Sequence, residues 1–247
     1  IRMLLRLAGG DLNAILAIAG LVGGVLIGIV FLKRGFNLGR ATRIKSFSAW
    51  LIPVVMLGLL LLAIFKPGFI FQSESGPGAA FVPLAVALVV GLVVGFFAQR
   101  TRFCSVGAWR DIFLVKDTYL FSGIAAFFIA ALVTNYIAGN FGAGGIYHWG
   151  FEGQPVAHTS HIWNFLGMGL VGLAATMLGG CPLRQCIMTG EGDNDAAITV
   201  LGLFAGAAVS HNFLLASSGT GPGTWGPVAV IIGLVFCVLL GLFMRER

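Results

Sequence analysis

Long apolar runs alternate with short polar and basic breaks along this chain. Seven runs stand out, at 12–32, 49–66, 79–99, 118–139, 161–180, 195–216 and 225–244. Each is long enough, or nearly so, to cross about 30 Å of hydrocarbon as a helix. The pattern predicts an all-α, polytopic membrane bundle of about seven spans.

Composition agrees. The 247 residues are 58% hydrophobic and 10% charged, with a mean hydropathy of +0.97. A soluble domain carries about 25% charged residues, so these charges are too few to cover a water-exposed globule. The 37 glycines suit closely packed membrane helices. Four cysteines in so apolar a chain exclude a disulfide scaffold, disorder and collagen.

The net charge of +6 sits between the apolar runs. Lys33, Arg34, Arg40, Arg43 and Lys45 follow the first span. Arg100, Arg102, Arg110 and Lys116 follow the third, and Arg245 and Arg247 follow the last. Strict alternation puts all of these, with Arg184, on one side, leaving Arg2, Arg6 and Lys66 on the other. The Lys/Arg-rich side, with the C-terminus, is therefore expected in the cytoplasm. These charges read as topology signals and not as nucleic-acid contacts.

The opening of the chain resembles a later part of it. Arg2, Gly10, Asp11 and Ala14 match Arg184, Gly192, Asp193 and Ala196 in one register, and Gly20, Leu21 and Gly24 continue it against Gly202, Leu203 and Gly206. Five spans lie between the copies, so the repeat is inverted, a plan common among secondary transporters. Leu183 follows Gly-Gly-Cys-Pro and nothing here precedes Ile1. The chain is therefore expected to be the C-terminal part of a longer protein. The expected division is 1–32 as the end of a first repeat, 33–75 as a linking loop, span and outer loop, and 76–247 as the second repeat.

Two cysteines carry the candidate chemistry. Cys104 lies in G-F-F-A-Q-R-T-R-F-C-S-V-G-A-W-R-D (95–111) and Cys181 in G-L-A-A-T-M-L-G-G-C-P-L-R-Q-C (172–186). Each follows a glycine by nine residues and ends an apolar run. A short segment then precedes the next span, as in a re-entrant helix. Such breaks at membrane depth are tolerated only where they line a cavity or are buried in protein. Gly179 and Gly180 permit a sharp break, and Pro182 suits the first position of a helix over about 182–189. Cys181 would then cap that helix, facing its N–H groups and positive dipole end, with Arg184 in the first turn. Cys104 is flanked by Arg100, Arg102 and Arg110, and 105–109 could form a similar turn. Thiols beside cations suggest a path for an anion with a soft sulfur or selenium centre. Cys237, inside the last span, reads as a small packing hydrophobe, and Cys186 as either a support for Cys181 or packing.

At these motifs the sequence resembles the YeeE/YedE family of sulfur-compound transporters. The carrying residues are R-T-R-F-C-S-V-G-A-W-R-D (100–111), G-G-C-P-L-R-Q (179–185) and G-E-G-D-N-D-A (190–196). G-G-C-P-L-R-Q looks most like the selenium-metabolism branch, YedE. The resemblance implies a pseudo-twofold helical bundle in which cysteines bind the passing substrate transiently. It makes Cys104 and Cys181 relay thiols of the second half, with Arg100, Arg102, Arg184 and Cys186 as further substrate-binding candidates. A small cytoplasmic sulfur-carrier protein is the implied partner.

Other features are weaker. Tyr147, His148, Trp149, Glu152, His158 and His161 fit a membrane-interface loop better than a metal site. His211 and Asn212 are polar groups in an apolar run, suited equally to packing or a pathway. Glu191, Asp193 and Asp195 suit a helix N-terminus, although docking a basic carrier protein is an alternative. No nucleotide-binding G-x-x-x-x-G-K-[ST] is present, and no cofactor or metal is expected. The expectation is a plasma-membrane permease of a bacterium or archaeon, importing a small sulfur- or selenium-containing anion such as thiosulfate. The rivals are a membrane-embedded sulfur or selenium transferase with Cys181 as covalent acceptor, and a structural subunit with inert thiols.

Overall fold

A computed structural model describes residues 1–39, 50–68, 82–141, 148–154 and 158–245. Arg40, Arg43 and Lys45 of the basic loop, Tyr147, Glu246 and Arg247 lie outside the described residues, as do residues 79–81 and the expected boundary at 75–76. The fold is all-helical, 73% helix, with no strands among the described residues.

The helices are α1 (Arg2–Ala8), α2 (Asn13–Lys33), α3 (Leu51–Phe65), α4 (Leu84–Arg100), α5 (Ser105–Leu114), α6 (Tyr119–Phe141), α7 (His161–Met177), α8 (Pro182–Gly190), α9 (Asn194–Asn212) and α10 (Gly226–Phe243). Each of the seven apolar runs holds a helix among the described residues. Five helical stretches are long and apolar enough to cross a membrane: 13–33, 84–114, 119–137, 161–190 and 226–243. The expected second span is the 15-residue α3. At 1.5 Å per residue it rises roughly 22 Å, short of the hydrocarbon thickness. The expected sixth span is α9, whose ends carry Asn194, Asp195, His211 and Asn212. Large apolar side chains cover the helix surfaces, with Leu92 74% and Phe243 80% exposed. Water disfavours such surfaces; a bilayer accepts them.

The chain forms two compact units. One comprises Ile1–Gly39, Cys104–Leu183 and Leu203–Arg247; the other comprises Arg40–Phe103 and Arg184–Gly202. The core of the first is the pair α2 and α7. Gly20 meets the Phe165 carbonyl, Gly24 the Gly169 carbonyl and Gly28 the Thr176 side chain. The partners advance together along both helices, so the pair is parallel. Gly172 in turn meets the Leu21 carbonyl. Small residues on both helices therefore let the backbones touch, as membrane helices require when water is not there to drive association. Two apolar clusters form on this seam. One holds Leu21, Val25, Ile29, Val106, Ala175, Cys104 and Cys181. The other holds Phe31, Phe36, Leu173, Met177 and Cys237, which places Cys237 in packing, as expected.

Candidate functional site

Two helices end in the same way just before a cysteine. At the end of α7, Gly179 takes a left-handed φ of 81°. Its N–H donates to the Thr176 carbonyl at 3.2 Å and that of Gly180 to the Ala175 carbonyl at 2.9 Å. At the end of α4, Arg102 takes a φ of 52°. Its N–H donates to the Gln99 carbonyl at 3.2 Å and that of Phe103 to the Ala98 carbonyl at 3.0 Å. Both are Schellman endings, which satisfy the last carbonyls of a helix and turn the chain sharply. A cysteine follows each, then a new helix. α8 runs over Pro182–Gly190, close to the expected 182–189, with Pro182 in its first position. α5 runs over Ser105–Leu114 and is longer than the turn expected there.

The fold brings the two cysteines together. Cys104 is extended (φ −149°, ψ 115°) and caps α5, its Sγ accepting the Gly107 N–H at 3.2 Å. The same sulfur accepts the backbone N–H of Cys181 at 3.3 Å. Both cysteines are buried among Leu21, Val25, Ile29, Val106 and Ala175, with Trp109 and Leu183 packed alongside. Gly107 makes the approach feasible, because a Cβ there would lie 3.3 Å from the Cys104 Sγ. Two backbone N–H donors thus converge on one polarizable sulfur where two short helices begin.

The remaining predicted residues are placed individually. Arg100 is the last residue of α4 and is exposed. Arg102 is exposed and supplies the left-handed residue of the α4 ending, a backbone role the sequence did not suggest. Arg184, on α8, pairs with Glu191 at 3.6 Å, and Gln99 Nε2 donates to Glu191 at 3.2 Å. Arg184 Nη1 is buried without a hydrogen-bond partner among the described residues. Cys186 is exposed on α8. Asp193 Oδ1 accepts the Ala196 N–H at 2.9 Å, so the expected capping of α9 is present. Asn212 donates to the Ala208 carbonyl at 2.8 Å and lines a cavity of about 460 Å³ with Phe213, Leu214, Leu215 and Trp225. Gly107 was not anticipated. Its position three residues after Cys104 is nevertheless the spacing at which a cap side chain meets a backbone N–H.

A local pattern occurs twice. α1 is followed by Gly10 (φ 95°) and α8 by Gly192 (φ 88°). The next residue, Asp11 or Asp193, donates its N–H back to the Arg6 or Met188 carbonyl. Its carboxylate then accepts an N–H at the start of the long helix that follows, from Asn13 or Ala196. Gly10 and Gly192, and Asp11 and Asp193, are matched pairs of the sequence register, whereas the N–H donors stand two residues after Asp11 and three after Asp193.

A family model described as sulphur transport matches residues 100–244, the part that contains both cysteines. Two relatives named thiosulfate transporter TsuA are similar to this chain. That of Spirochaeta thermophila is 30% identical over 128 residues, covering 51% of this chain and 36% of its own length. That of Escherichia coli is 28% identical over 123 residues, covering 45% of this chain and 30% of its own. The matched region is thus about a third of the length of these curated relatives. No solved structure matches the chain.

Proposed function

The chain belongs to the sulphur transport family, and from that premise we propose that it is part of a permease importing a small sulfur-containing anion past Cys104 and Cys181. Thiosulfate is the substrate favoured by the relatives' names. The observation that carries the reading is the Cys104 Sγ accepting the Cys181 N–H at 3.3 Å. That bond joins two helix breaks at one buried, polarizable point.

A thiol contributes in two ways. Its S–H is a weak donor to a passing anion, and its sulfur makes dispersion contacts with a soft terminal sulfur or selenium. Weak contacts suit transport, because a substrate held tightly would not leave. The Gly107 and Cys181 N–H groups fix the sulfur, so the passing ion meets a preset contact. Arg184, Arg100 and Arg102 supply positive charge along the motifs, and Cys186 is a further contact on α8. The repeated helix, glycine, aspartate and helix pattern supports an inverted-repeat architecture. The basic breaks favour a plasma-membrane location with the C-terminus in the cytoplasm, where a small sulfur-carrier protein would receive the ion. A selenium species is the alternative cargo, since selenium shares the soft chemistry.

The test is uptake of labelled thiosulfate and labelled selenite in cells lacking their own transporters. Wild-type full-length protein is compared with Cys181→Ala. Label entering only with the wild type supports the permease and selects the substrate. If neither label enters and mass spectrometry finds a substrate-derived adduct on Cys181, the protein is instead a membrane-embedded transferase. Full uptake in a Cys104→Ala, Cys181→Ala double variant would leave the thiols inert.

A further inference from the structure

A second group of polar side chains gathers where α1 meets α2 and the start of α7. Arg6 Nε donates to Asp11 Oδ2 at 2.6 Å. Asp11 Oδ1 accepts both the backbone N–H and Nδ2 of Asn13 at 3.0 Å. Asn13 Nδ2 also donates to the Phe151 carbonyl at 2.7 Å. The Phe151 ring meets His161 edge-on at 5.7 Å. Next to His161, His158 lies within the electrostatic reach of both His161 and Arg6. The Asp11–Asn13 part of the junction is dry: Asn13 is 0% exposed and Asp11 4%.

Four atoms of this junction are buried without a hydrogen-bond partner among the described residues: Arg6 Nη2, Asn13 Oδ1, His158 Nδ1 and His161 Nδ1. One such orphan is unremarkable, but buried polar groups are nearly always paired, and four on residues of one junction point to a partner there. α2 and α7, of 21 and 17 residues, both begin here, so two positive helix ends add to the Arg6 charge. A cation is disfavoured by Arg6, and among the described residues no three metal-ligating side chains converge.

We propose that this junction is a binding site for a small oxyanion, held by Arg6 Nη2 and the imidazole N–H groups of His158 and His161. Asn13 Oδ1 accepts a hydrogen bond from a hydroxyl or water that accompanies the ligand. Asp11 is paired with Arg6 and Asn13, which offsets its charge beside the ligand. The site lies at the beginning of α7, and the thiol pair follows its end. Its donors are hard N–H groups suited to oxygen, whereas the thiols are suited to soft sulfur. The inference stands on these four atoms and does not require the transport reading.

The experiment uses the full-length protein in lipid nanodiscs, with labelled sulfate as the probe. A Cys104→Ala, Cys181→Ala variant first removes the thiol pair, so that transport chemistry and this site are read separately. Saturable sulfate binding is expected to remain in that background. Adding Arg6→Lys, which keeps a cation beside Asp11 but lacks Nη2, is expected to weaken binding by about tenfold or more. Adding His158→Gln tests the same site without touching the Arg6–Asp11 bridge, and serves if Arg6→Lys fails to fold. Loss of all saturable binding with the cysteines would overturn the proposal. So would equal sulfate affinity with and without His158→Gln or a folded Arg6→Lys.

Discussion

Arg102 and Gly179 occupy equivalent places: each is the left-handed residue of a Schellman ending, two positions before a buried cysteine. Glycine adopts φ of 81° without cost. Arginine at 52° carries a Cβ into the following carbonyl, a strain of about 1–2 kcal/mol. Arg102→Gly should therefore raise thermal stability, by up to about 1 kcal/mol after the entropy glycine adds to the unfolded chain. Gly179→Ala should lower it by about 1 kcal/mol or more. Melting of the purified protein checks both. Uptake by Arg102→Gly then separates the two roles of that residue: unchanged KM means the backbone matters, and a raised KM means the guanidinium touches the anion.

The α2–α7 seam makes a sharper test. A Cβ at Gly24 would collide with the Gly169 carbonyl oxygen and stand 2.7 Å from the Leu173 N, both backbone atoms that cannot swing aside. At the adjacent Gly23 a Cβ would meet only the Phe165 Cζ, at 3.8 Å. Gly24→Ala should separate the helices and cost several kcal/mol, seen as loss of folded protein by size-exclusion chromatography in detergent. Gly23→Ala should run as the wild type. Equal behaviour of the two would dismiss the close approach.

What could be read in the sequence follows from how local its signals are. The apolar runs placed the long helices, because membrane thickness sets a length that composition reveals directly. Gly-Gly-Cys-Pro located the start of α8, since Gly179 and Pro182 act through their own backbones. The meeting of Cys104 and Cys181 joins residues 77 apart, and only tertiary packing decides that distance. Arg102 hid its role because a left-handed arginine has no sequence signal. α3 read as a span on hydropathy, but its helix stops at Phe65, and Lys66 takes a left-handed φ of 44°. In the sequence Arg6 reads only as a charge opposite the basic side, Asp11 only as the match of Asp193, and Asn13 carries no signal. Their significance lies in what remains unpaired once the junction closes.

His158 gives a pH dependence with a definite sign. Burial, then the Arg6 charge, then His161 lower its pKa below the usual 6.5. The folded state thus binds fewer protons than the unfolded chain in the window below about pH 6.5, and stability rises with pH there. Acidification through that window should lower the melting midpoint of the wild type more than that of His158→Gln. Asp11 and His161 share the junction, so the comparison is made within this pair of proteins and not against an absolute curve. Parallel midpoints for the two from pH 7.5 to 5.5 would show that His158 does not titrate against the fold.

Cys104 combines two tasks that one substitution can separate. Its sulfur caps α5 by accepting the Gly107 N–H, and it accepts the Cys181 N–H at the opposing break. A serine hydroxyl accepts hydrogen bonds at a cap better than a thiol does, and serine is among the preferred N-cap residues. Cys104→Ser should therefore keep α5 anchored, with a melting midpoint at or above that of the wild type. Cys104→Ala removes the acceptor and should cost about 1 kcal/mol. Neither oxygen nor methyl replaces the polarizable sulfur. If a soft contact carries the ion, both variants should lose uptake by about tenfold or more, despite their different stabilities. If the sulfur serves only to hold the break, Cys104→Ser should transport normally while Cys104→Ala fails. Thiosulfate uptake and thermal melting measured on the same three proteins distinguish the two outcomes.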